Sequence, residues 1–233
     1  MARSRSSKQL SLPRTSGWGG RRAGAGRKPS VGRRSTPHRA RPLHASRHPV
    51  HVTMRAVSGL ARLRSDLAFG VVIRGIRAAQ RADFRVVHYS VQRDHVHLVV
   101  EAASAGALSS GMRGLAIRVA RRLNVALRRR GKVWGDRWHG RALRSPREVR
   151  NALVYVLVNA RKHGELPLGL DGCASIYWAA DCFADALYRD GLAQLGRTRA
   201  PPVAPPHTWL LAKGWRRLGL LRATDAPRAA AKA

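Results

Sequence analysis

The chain has 233 residues, enough for one domain of moderate size plus tails. It carries 45 Lys and Arg against 12 Asp and Glu, a formal net charge of +33, which calls for a polyanionic partner. No apolar run reaches the length of a membrane-spanning helix, so nucleic acid is expected and a membrane is not.

Arginine greatly outnumbers lysine, and its planar fork suits bidentate phosphate contacts and stacking on bases. Cys173 and Cys182 are too few and too far apart for a zinc ribbon, and a reducing compartment is the default. The N-terminus lacks the apolar core of a secretory signal. No G-x-x-x-x-G-K-[ST] run occurs, which argues against a fused ATPase.

Residues 1–47 are basic, rich in Gly, Ser and Pro, and free of acids, so they are expected to be a disordered tail that contacts DNA. Val50 to Val57 alternates as a first strand, and Asp66 to Arg81 reads as a helix. Phe84–Gln92 and His95–Glu101 are two strands joined by a short turn at Arg93-Asp94, hence an antiparallel pair. Leu108 to Arg130 is a long helix with Met112, Leu115, Val119, Leu123, Ala126 and Leu127 on its apolar side. Its other side presents Arg118, Arg121, Arg122, Arg128 and Arg129, candidates for DNA contact. Lys132 to Arg144 holds a fourth strand, with His139 after Trp138 as a further candidate for meeting a phosphate.

Ser145-Pro146-Arg147-Glu148 opens another helix, with Ser145 as cap, Pro146 at the first turn and Glu148 as a capping-box carboxylate. It is expected to run to about His163, with Gly164 as its stop. Its apolar stripe is Val149, Ala152, Leu153, Val156, Leu157 and Ala160. Asn151, Tyr155 and Asn159 recur every four residues as a separate polar ridge. Beyond residue 165 a Pro-rich link, 200–206, leads to Trp209 and Trp215, which are expected to dock on the domain.

The order strand, helix, strand, strand, helix, strand implies an α+β, ferredoxin-like fold: a four-stranded antiparallel sheet with helices on one face. The tyrosine-bearing helix is then expected near the opposite, histidine face. His95 and His97 are two apart on one strand, so both imidazoles project to the same side, where they can hold a metal ion. A half-buried strand with two incidental histidines has comparable odds on that motif alone. Asp94 is read as the end of a turn in preference to a partner of a histidine, and His48 and His51 as structural or exposed.

The ordered set 48–53, 84–92, 95–101, 136–139 and 155–161 resembles the single-tyrosine HUH transposases. Within these it looks most like the IS200-like branch and the transposases associated with repetitive extragenic palindromes. Together these stretches span about 48–165, half the chain, which sets expected domains of 1–47, 48–165 and a C-terminal extension 166–233. The resemblance implies Mg²⁺ or Mn²⁺ held by His95, His97 and Asn159. It implies Tyr155 as a nucleophile that attacks a phosphodiester of single-stranded or hairpin DNA, keeps the 5′ phosphate and frees a 3′ hydroxyl.

It also implies a bacterial, cytoplasmic, nucleoid-associated enzyme, monomeric or homodimeric. The short link from Arg144 into the tyrosine helix favours a site completed within one chain. Two alternatives stand beside this reading: a retired nucleic-acid binder of the same fold, and an initiator or relaxase-type nickase. The family's usual proline after the asparagine is replaced here by Ala160, and the long basic N-terminus is a second departure.

Overall fold

Strict alternation makes β1 (Val50–Arg55): Val50, Val52 and Met54 are buried on one side, while His51, Thr53 and Arg55 face the other. The computed structural model describes residues 43–158, 174–175, 178–186, 189–190, 193, 200–222 and 224–225. β1 ends at Arg55, short of the expected Val57. There the backbone leaves β3, Ala56 pairs with Trp134 as a single bridge, and Val57 N–H bonds to Val133 C=O.

The first helix, α1 (Asp66–Arg77), also stops earlier than its periodicity suggests. Gln80 turns its amide to Val86 and Pro202, and Arg81 N–H bonds to Phe84 C=O, so the chain is already entering the next strand. β2 (Phe84–Val91) and β3 (His95–Ala102) pair antiparallel, with a bulge between Val86 and His88. That bulge puts Val87 and His88 out of simple alternation.

The long helix α2 (Ala105–Ala126) begins three residues before the expected start at Leu108, because Ser104 caps it by accepting from Ala107 N–H. It ends before Arg128, whose positive φ of 48° breaks the helix. Gly111 lies where α2 crosses β2, and a Cβ there would collide with the Phe84 ring.

Sheet order is β2-β3-β1-β4, with β4 (His139–Ala142) an edge strand paired to β1. All pairings are antiparallel, so the α+β, ferredoxin-like expectation holds. α1 and α2 cover the face that carries Val52, Leu98 and Val100. Over the other face lies α3 (Pro146–Val158), burying Val149, Leu153, Val156 and Leu157 with Val87 and Val99. The expected end of α3 near His163 and Gly164 lies outside the described residues, as do Ala160 and the basic tail 1–42.

The C-terminal segment folds back on both layers. Ala204 N–H bonds to Val86 C=O on the outer edge of β2. The carboxylate of Glu101, buried on β3, accepts from the backbone N–H groups of His207 and Thr208. That fixes the short helix α4 (Trp209–Ala212), and Trp215 in the following 3₁₀ turn buries its ring against α3. Trp215 therefore docks as expected, whereas Trp209 stays half exposed with Arg217 over its ring.

Candidate active site

The register of the sheet brings the polar face together. Thr53 of β1 stands opposite His97 of β3, and also opposite His139 of β4, while Arg55 stands opposite His95. His51 follows on the same face of β1, opposite Val99 and Arg141. One row of residues thus crosses three strands beneath α3.

His95 and His97 share this face as their spacing requires, their rings perpendicular with centroids 4.6 Å apart. Each has its Nδ1 engaged. His95 Nδ1 lies 2.6 Å from Asp94 Oδ1, and His97 Nδ1 lies 3.1 Å from Thr53 Oγ1. Asp94 is therefore a histidine's partner as well as a turn residue, and Arg55 grips its Oδ2 at 3.0 Å. The hydrogen bond with His95 holds the Asp94 carboxyl below its ordinary value; Arg55 adds to that, against a smaller upward push from partial burial.

Tyr155 reaches this row from above. Its ring is perpendicular to His97 with centroids 4.8 Å apart, because α3 sits on Val87 and Val99 and turns residue 155 inward. Asn151, one turn earlier on the expected polar ridge, is exposed. Asn159, one turn later, lies outside the described residues.

One residue of the cluster was not expected. His51 packs against both His97 and Tyr155, at 5.4 and 5.6 Å between centroids. Burial lowers its pKa to about 4, with positive potential from His139 and Arg141 acting the same way. The alternation of β1 places His51 on the face of Thr53, but its neighbours depend on β1 lying between β3 and β4. Nothing local to 48–57 encodes that order.

The remaining candidates lie elsewhere. His139 is exposed on the edge strand, close enough to His51 to influence it. Arg121 and Arg122 are exposed and Arg118 half-buried on α2, across the sheet from the histidines. Arg128 and Arg129 fall past the helix end, off the α2 face expected to present them. Arg129 closes the turn by donating to Asn124 Oδ1 and to the Lys132 carbonyl.

Among the described residues no group of three or more His, Cys, Asp or Glu is arranged to hold a metal ion. A pair of histidines is nevertheless present with the support that metal-binding imidazoles use: a carboxylate on one Nδ1 and a hydroxyl on the other. A ring that donates Nδ1–H in this way carries its lone pair on Nε2. The donor set fits a divalent ion completed by a further side chain. Among the described residues no helix is long and apolar enough to cross a membrane.

No curated protein sequence matches the chain. Among solved structures it is similar to a REP-associated tyrosine transposase bound to a REP hairpin. That likeness has 15% identity over 74% of this chain and 93% of the other, with a TM-score of 0.49. It is also similar to a bacterial tRNA(His) guanylyltransferase-like protein in complex with GTP, at 12% identity over 56% of this chain and 74% of that one, with a TM-score of 0.41. Residues 68–143 match the family described as Transposase IS200 like, a stretch that runs from α1 to β4 and includes His95 and His97.

Proposed function

We propose that this protein is a metal-dependent transesterase that nicks and rejoins single-stranded DNA at hairpin-bearing sequences. The observation that carries the reading is the placement of the Tyr155 phenol against His97, beside the supported pair His95 and His97. In this reading Tyr155 Oη attacks the phosphorus of a phosphodiester. A Tyr155–phosphate bond to the 5′ side forms, the P–O3′ bond breaks, and the 3′ oxygen leaves as a hydroxyl after taking up a proton. Because the phosphotyrosine bond replaces one phosphodiester with another, the reverse attack by a 3′ hydroxyl rejoins DNA without a nucleotide cofactor.

A phenol with a pKa near ~10 is a weak nucleophile at neutral pH. His95, His97 and Asn159 would hold Mg²⁺ or Mn²⁺, which when bound polarises the phosphate and offsets charge on the leaving oxygen. Asp94 and Thr53 fix the two imidazoles so that Nε2 of each is the liganding atom. α3 packs on Val87 and Val99 of its own chain, which supports a site completed within one chain.

Residues 48–165 would form the catalytic domain, with 1–47 as a basic DNA-contacting tail and 166–233 as an extension that braces α3. A net charge of +33 supports DNA as the partner and bacterial nucleoid DNA as the place of action.

The test incubates protein with single-stranded hairpin DNA from the flanks of its own gene and Mn²⁺ or Mg²⁺, beside Tyr155→Phe. A metal-dependent covalent adduct with the wild type alone is expected. Tight binding with no adduct across a second panel of hairpins would reduce the protein to a binder. An adduct with Tyr155→Phe would remove that residue as nucleophile.

A further inference from the structure

His51 takes no part in the reaction as written above, and it is the residue of this cluster with the least structural reason to be a histidine. Position 51 lies on β1 under α3, packed against the rings of both His97 and Tyr155. Its Nε2 is buried and has no hydrogen-bond partner among the described residues. Leaving a buried polar atom unsatisfied is destabilising, and a leucine or valine would fill the same space without that penalty. Such an orphaned group calls for an explanation, and a role in catalysis is one.

What that state contains is limited by the surroundings. His51 does not join His95 and His97 in a three-residue metal cluster. Among the side chains packed on it, Tyr155 brings a hydroxyl, carried by a ring 5.6 Å away, centre to centre, at an interplanar angle of 62°. We propose that His51 is a positioning residue for the nucleophile. In the DNA-bound enzyme its Nε2 accepts the hydrogen bond of the Tyr155 hydroxyl and holds the phenol in line with the scissile phosphate. This rests on Tyr155 being the nucleophile. A misplaced reacting atom costs on the order of 10²-fold in rate even where binding is intact. His139 and Arg141 stand behind His51 on β4, on the side away from His97, so the imidazole is backed by positive groups.

The test compares wild type, His51→Leu, His51→Gln and Tyr155→Phe. It measures single-turnover adduct formation over a range of hairpin DNA concentrations, Mn²⁺ affinity by electron paramagnetic resonance of the free ion, and thermal stability. Leucine removes the orphaned nitrogen and keeps the volume, so it is expected to melt no lower than wild type. It should form adduct about 10²-fold more slowly at saturating DNA, with the half-saturating DNA concentration and Mn²⁺ affinity unchanged. Glutamine returns an acceptor near Nε2 and is expected to recover most of the rate.

Wild-type rates in His51→Leu would overturn the proposal, and so would a glutamine variant as slow as leucine. Loss of Mn²⁺ affinity in either variant would make His51 a ligand and overturn it also. A wild type that forms no adduct with any hairpin would instead overturn the nucleophile assignment, and this proposal with it.

Discussion

His95 Nδ1 sits 2.6 Å from Asp94 Oδ1, and Arg55 holds the other oxygen of the same carboxylate at 3.0 Å. The three residues come from two adjacent strands, and the turn that joins β2 to β3 delivers Asp94. This chain of contacts fixes the ring of His95 and the nitrogen it offers. Partners of metal-binding histidines typically change affinity by 10–100-fold when removed. With His95 as a ligand, Asp94→Ala is expected to weaken Mn²⁺ binding by about that range, with little effect on melting, because the carboxylate is half exposed. Titration of Mn²⁺ into both proteins checks it. Equal affinities would detach Asp94 from the metal site.

His88 gives a pH dependence that does not involve the reaction centre. Its ring is 2% exposed, and burial lowers its pKa from 6.5 to about 4. Between those values the unfolded chain binds a proton that the folded chain refuses. Stability therefore falls as pH drops from 6.5 towards 4, by up to about 1.4 kcal/mol per pH unit for one such group. His51, lowered to about 4 as well, acts in the same direction. His88→Leu is expected to flatten the acid limb of a melting-temperature profile by roughly one proton's worth, and an unchanged slope would contradict it.

The antiparallel sheet was legible because β1 alternates strictly and the short turn at Arg93-Asp94 dictates antiparallel pairing of β2 with β3. The face of His95 and His97 followed from spacing alone. Helix ends were less legible: α2 begins at a serine cap upstream of its apolar stripe and ends at a residue with positive φ, neither of which periodicity records. His51 was missed because its meaning depends on which strands flank β1, a long-range fact. The role of Glu101 was hidden for the same reason, since its partners lie about a hundred residues downstream.

Glu101 is 4% exposed and accepts three hydrogen bonds from two consecutive backbone N–H groups, at 2.8 to 3.2 Å, with Arg85 Nε 4.0 Å away. This one side chain ties the C-terminal segment to the sheet just ahead of α4. Hydrogen bonds to a charged group contribute roughly 1.5–3 kcal/mol each at most, and they share partners here. Glu101→Ala is expected to destabilise the protein by about 2–4 kcal/mol and to raise amide exchange across 207–218. Because Trp215 in that segment packs on α3, the exchange of α3 should rise too. Exchange confined to 207–218 would show that α3 stands without its brace.

The arginines of α2 make a separable prediction about DNA. Arg113, Arg121 and Arg122 are exposed on a helix that contains no acidic residue, on the face of the sheet opposite His97 and Tyr155. A surface so placed can bind phosphates without touching the reacting atoms. Removing one arginine–phosphate pairing reduces the slope of log affinity against log salt by ~0.9 on duplex and ~0.7 on single strands. Replacing Arg113, Arg121 and Arg122 by serine is expected to weaken hairpin binding and flatten that slope by up to about three such steps. The rate of adduct formation at saturating DNA should not change, since no group near Tyr155 has been altered. Filter-binding across a salt series, paired with single-turnover cleavage, separates the two effects. An unchanged slope would make α2 an ordinary solvated face. A slope change accompanied by a lower saturated rate would mean that DNA held on this side controls how the strand reaches Tyr155.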